Sequence, residues 1–182
     1  MDLEMNDVGI LQAQSAANKL ADWEISASYS SPLKRALRTA EIIATPHRLR
    51  VQRSDELIDI NFGEWQGLSP QEVEAGYSNL YQLWLSEPHR VTFPRGESLQ
   101  DVRQRIESLV GKVLVEHQEE SIILVSHQVV CKVFLCFVLG LDNSHFWQVD
   151  QDICAINVFE TRGNILTITL ANDTCHLKEM TS

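Results

Sequence analysis

Ile122 to Val125 form an unbroken apolar run that stops at Ser126-His127-Gln128, and a second apolar run, VVCKVFLCFVLGL (129–141), begins at once. The first run is too short for a stable helix and reads as a strand buried on both faces, while the second is long enough for a buried helix. A buried strand that turns straight into a buried helix is the repeating unit of a parallel α/β sheet. The polar residues between them then lie at the carboxyl end of the strand, where such sheets hold their ligands.

The rest of the chain repeats this alternation. Asn6 or Asp7 caps a helix over roughly 8–22, and ISASY (25–29) reads as a strand. Ser30-Ser31-Pro32 supplies a capping hydroxyl and a first-turn proline for a helix over 33–44, and LRVQ (49–52) is the next strand. Ser69-Pro70-Gln71-Glu72 is a capping box for a short helix, with a second short helix around Tyr81 to Leu85. Ser98 and Asp101 cap the clearest helix, 98–117, whose Val102, Ile106, Leu109 and Val113 form one stripe. After the second apolar run, ICAINVFE (153–160) and NILTITLA (164–171) read as a hairpin joined at Thr161-Arg162-Gly163. The expected fold is a three-layer α/β/α sandwich with a mostly parallel sheet and an antiparallel edge.

Composition narrows the function. With 15 Lys+Arg against 25 Asp+Glu, the chain carries a formal charge of -10, which argues against nucleic acid or an anionic membrane as a partner. One locally positive pocket still suits a small phosphorylated metabolite. The run 129–141 is too short to span a bilayer and contains Lys132. MDLEMNDVGI is acidic and lacks the apolar stretch of a signal peptide. Cys131, Cys136, Cys154 and Cys175 form no CxxC pair and no zinc spacing. Free thiols, a reducing compartment and cytoplasmic location are expected, with neither metal nor other cofactor.

Three residues stand out for chemistry. Arg35, in the first turn of its helix, combines free backbone N–H groups with a guanidinium fork, both suited to phosphate; a surface arginine is the alternative. His127 stands at a strand end, with a backbone-bonded core histidine as its alternative. Asp59 lies in LIDINFGEW beside Phe62 and Trp65, and a carboxyl among apolar rings can serve as a general acid. A solvated loop carboxylate is equally consistent, and Glu64 is a rival acid.

Taken together, DLEMNDVGILQAQ (2–14), SSPLKRALRTAEIIA (30–44), LIDINFGEWQG (57–67), FPRGESLQDVRQR (93–105) and ILVSH (123–127) resemble, in order, the motifs of the histidine phosphatase superfamily, the phosphoglycerate mutase-like fold. The resemblance implies a phosphomonoester hydrolase that works through a phosphohistidine. It makes Arg35 a phosphate-binding arginine, His127 the histidine that stabilises the transferring phosphoryl group, and Asp59 the proton donor, where the family usually has glutamate. Glu64 follows the Phe-Gly pair, whereas the family's acid precedes it.

The family also carries a central strand ending in Arg-His-Gly, whose histidine accepts the phosphoryl group. No histidine precedes His47 here. The resemblance therefore implies a single domain over 1–182 that is N-terminally incomplete, lacking that central strand and inactive by itself. Gln128 replaces the glycine that usually follows the second histidine, adding a side chain near the pocket. A non-catalytic binding protein and a phosphoglycerate mutase are the competing readings, the short 65–96 segment favouring a phosphatase over a mutase. His127 as the nucleophile ranks below all of these. Loss of a central strand should leave a wet or rearranged core, which dimerisation or strand exchange would repair.

Overall fold

A computed structural model describes residues 2–163 and 165–181. Helix α1 (Asp7–Leu20) starts where the Asn6 side chain accepts the Gly9 N–H at 2.9 Å. Strand β1 (Ala27–Ser30) leads into α2 (Lys34–Ala44), and β2 (Val51–Arg53) follows. Two short 3₁₀ turns, Asp55–Leu57 and Gly63–Trp65, flank the loop that carries Asp59. Helix α3 (Pro70–Ser86) opens on the expected capping box and is broken at Tyr77, so the two short helices read from the sequence are one kinked element. Helix α4 (Leu99–Glu116) has its Ser98–Asp101 box. Then come β3 (Ile122–Val125), α5 (Gln128–Val138) and the hairpin strands β4 (Ile156–Arg162) and β5 (Ile165–Asp173).

The parallel sheet runs β2-β1-β3, with β1 in the middle and all four of its residues buried. Alternation along β1 sends Ala27 and Tyr29 toward the larger core, where Val102, Ile106 and Leu109 of α4 meet Val130 and Val133 of α5. On the other face a smaller cluster joins Ala16, Ala17 and Leu20 of α1 to Ile43 of α2. Alanines at these positions let α1 and α2 approach closely over the sheet. This is the expected α/β layering, with a parallel sheet between helices.

Three expectations need correction. Among the described residues the hairpin does not form an antiparallel edge of the parallel sheet; β4 and β5 pair with each other as a separate two-stranded sheet. Ile123 of β3 and Ile156 of β4 pack on the same α1–α2 cluster, and Phe159 of β4 lies 4.6 Å from Phe134 of α5. The two strands thus share helices above and below without sharing hydrogen bonds, and every β3 residue stays only half-buried. The second correction concerns α2. Pro32 lies before the helix, whose N-cap is Leu33 and has no side-chain cap of its own. The Lys34 N–H instead donates to Asp2 at 2.7 Å, because the segment before α1 crosses the α2 N-terminus and also brings Glu4 to the Lys34 ammonium. The first hairpin strand runs Ile156–Arg162 where 153–160 was expected, so it takes in Thr161 and Arg162 of the expected turn; Asn164, the expected start of the second strand, lies outside the described residues.

The four cysteines are free thiols. Among the described residues no helix is long and apolar enough to cross a membrane. Lys132 is buried in α5, where its ammonium lies 4.2 Å from the Phe146 ring centre and 4.6 Å from that of Trp147. Those faces and its aliphatic stem reconcile a cation with an apolar helix.

Candidate active site

Three separate segments converge at the carboxyl end of the parallel sheet. The turn after β1 brings Ser31 and Arg35, the loop between the 3₁₀ turns brings Asp59, and the residue after β3 and Ser126 is His127, the N-cap of α5. The Arg35 guanidinium donates to the Asp59 carboxylate at 2.8 Å. The same carboxylate oxygen is 3.7 Å from His127 Nδ1. His127 Nε2 lies 2.8 Å from the Ser31 hydroxyl. Facing a carboxylate favours the proton on Nδ1, which leaves Nε2 to accept from Ser31. Ser126 donates to the Leu57 carbonyl at 2.8 Å, tying the histidine's strand end to the stem of the Asp59 loop.

All three residues singled out from sequence therefore meet. Arg35 and Asp59 keep about a third of their side chains exposed, whereas His127 is almost wholly covered. Burial drives the His127 pKa down to about 4; Asp59 opposes this, and Arg35 and Arg105 add to it. The ring is thus neutral at pH 7. Between its ordinary value near 6.5 and about 4 the unfolded chain binds a proton that the folded chain refuses, so stability falls as pH drops through that window. The expected loss is about 1.4 kcal/mol per pH unit and about 3 kcal/mol across it. Urea denaturation between pH 7 and pH 4.5 should show this contribution, and His127→Gln should make the slope shallower; an equal slope in that variant would refute the assignment.

Glu64 is not part of the cluster. Its carboxylate accepts the Tyr77 hydroxyl at 2.7 Å and pairs with Arg95, and these partners hold its pKa below the usual carboxylate range. That is the wrong direction for a general acid. Gln128 turns away as well, donating to the Gln151 carbonyl at 2.6 Å, so it ties α5 to the segment before β4. Cys131, one turn beyond His127, is pushed up to about 12, mainly by burial and further by the Asp59 charge, which keeps it a thiol at neutral pH.

Sequence reasoning passed over three contributors. Ser31 was legible only as a capping hydroxyl, and its approach to His127 spans 96 positions. Arg105 and Glu97 lay inside a quoted motif, but nothing local shows that they grip the Asp59 loop.

The description "Histidine phosphatase superfamily (branch 1)" matches residues 1–174. The chain belongs to that superfamily. Phosphoserine phosphatase 1 of Hydrogenobacter thermophilus is 35% identical over 179 residues, covering 98% of this chain and 85% of the relative. Phosphoglycerate mutase-like protein 4 of Arabidopsis thaliana is 36% identical over 184 residues, covering 98% and 78% respectively. Among solved structures, Bacillus stearothermophilus YhfR superposes with a TM-score of 0.93 at 25% identity, covering 97% of this chain and 88% of that one. The superfamily's phosphoglycerate mutase-like architecture is therefore the fold of this chain, and its relatives carry phosphatase names.

Proposed function

We propose that this histidine phosphatase chain supplies the phosphate-binding and proton-transfer half of a phosphomonoester hydrolase, acting with a phosphohistidine formed on a histidine outside these 182 residues. The convergence of Arg35, Asp59 and His127 from three distant segments carries this reading. Arg35, on the first turn of α2, offers its fork to the equatorial oxygens of a phosphoryl group, and His127 donates to them from a fixed ring. Asp59 holds the same fork, so a phosphate dianion competes with it.

In the complete reaction an imidazole attacks phosphorus in line, the bond to the leaving oxygen breaks, and Asp59 gives that oxygen its proton. The resulting carboxylate then takes a proton from water, whose oxygen attacks the phosphohistidine and releases phosphate. His117 is held away from the cluster by the Tyr29 hydroxyl and Glu120, both at 2.8 Å. The substrate class is a small phosphomonoester, with phosphoserine the first to test, and the cytoplasm is the proposed compartment.

Calorimetric titration with inorganic phosphate tests the site directly. The 182-residue chain should bind phosphate, and Arg35→Ala should weaken binding about 10- to 100-fold by removing charge-assisted hydrogen bonds. Unchanged affinity would refute the assignment of Arg35. Stable ³²P label on His127 after exposure to a phosphomonoester would instead make that residue the nucleophile. Comparing phosphoserine with phosphoglycerate would separate hydrolysis from mutase activity.

A further inference from the structure

Asp59 reaches Arg35 and His127 from a loop with no regular structure of its own, so its position depends on what holds the loop's two stems. The first is held by Ser126 at the Leu57 carbonyl and by a side chain of α4. Arg105 of α4 donates through Nη1 to the carbonyl of Glu56, three residues before Asp59, at 2.6 Å. Its Nε donates to a Glu97 carboxylate oxygen at 3.1 Å. Glu97 holds the second stem: its other carboxylate oxygen accepts the Asn61 N–H at 2.7 Å, and its own N–H donates to the Asn61 carbonyl at 2.8 Å.

The bracket is built into the chain. Arg105 and Glu97 are mostly covered, at 17% and 26% side-chain exposure, so their pairing is shielded from solvent more than a surface pair is. The turn before Glu97 presses on the same carbonyl, since a Cβ at Gly96 would stand 2.2 Å from the Asn61 oxygen. Only a glycine lets the two loops meet so closely.

Given the reading of Asp59, Arg35 and His127 as one site, we infer that Arg105 and Glu97 are its positioning pair: bridging Glu56 and Asn61, they set where the Asp59 carboxylate stands against Arg35 and His127. Neither touches the reacting groups. A lysine at 105 keeps the charge but cannot reach two acceptors with one planar fork. An aspartate at 97 keeps the charge and shortens the bridge by one methylene. Either change should leave Asp59 present but poorly placed.

A double-substitution cycle read on the His127 imidazole tests this. In the parent chain Asp59→Asn should lower the His127 pKa, because the Asp59 carboxylate is the group that raises it. In an Arg105→Lys background the same substitution should shift the NMR titration by less than about half as much, since the carboxylate no longer holds its place. Glu97→Asp should reduce the shift similarly and serves where Arg105→Lys does not fold. A full parent-sized shift in a folded variant would mean that the pair only stitches α4 to the loop, and would overturn the inference. This readout needs no phosphate, so failure of phosphate binding would count against the site itself and not against the bracket.

Discussion

Joining an apolar strand that ends in Arg-His-Gly to the front of this chain should raise phosphomonoester turnover about a millionfold over that of the 182 residues alone. The size of the effect follows from the chemistry. On the proposed mechanism, nucleophile, phosphate clamp and general acid act as one unit, so a histidine added to the clamp and acid would supply the attacking group. The fold favours such a graft. Ile123 of β3 and Ile156 of β4 pack on the same α1–α2 cluster, yet among the described residues the two strands share no hydrogen bonds. A strand entering parallel to β3 would end at the carboxyl edge, beside Arg35 and His127. Hydrolysis of phosphoserine, read as phosphate release by graft and parent, checks it. A well-folded graft that is no faster than the parent would sink the proposal, and so would rapid turnover by the parent itself.

Phe93→Ala should be among the most damaging single substitutions, costing about 3–5 kcal/mol. Its ring is 1% exposed and meets Phe62 and Trp65 at 4.9 Å and Trp84 at 5.1 Å between ring centres, each edge-on. Truncation would leave a cavity walled by large rigid rings that cannot collapse into it, and would lose the edge-to-face contacts as well. The backbone of Phe93 also bonds Gly96 and Glu97 at 2.8 and 3.1 Å, so disorder there would reach the Asp59 loop. Chemical denaturation of the variant measures the cost, and Phe93→Leu should be milder because it fills more of the space. A loss below about 1 kcal/mol would show that the cluster repacks, contrary to the geometry.

Much of the candidate site is legible in the sequence. Arg35 and His127 each followed a strand, and parallel sheets deliver such residues to one edge whatever the details of packing. Asp59 was harder, because a loop carboxylate carries no periodicity. Glu64 was the plausible rival until Tyr77 and Arg95 were seen to occupy it. Ser31 and the Arg105–Glu97 bracket were not readable, since their partners are remote in sequence and side-chain reach leaves no local pattern.

Helix starts show the same division. Ser69–Glu72 and Ser98–Asp101 encode their caps within four residues, and both formed as read. The start of α2 did not, because its capping carboxylate, Asp2, arrives from 32 residues away. Local physics controls the strand–helix alternation, the capping boxes, the buried stripes and the edge that carries the polar residues, and all of these can be read from residue order. Which side chains meet is a matter of packing. Those contacts depend on the relative placement of whole elements, as in the detachment of β4–β5 from the parallel sheet and the grip of α4 on the Asp59 loop.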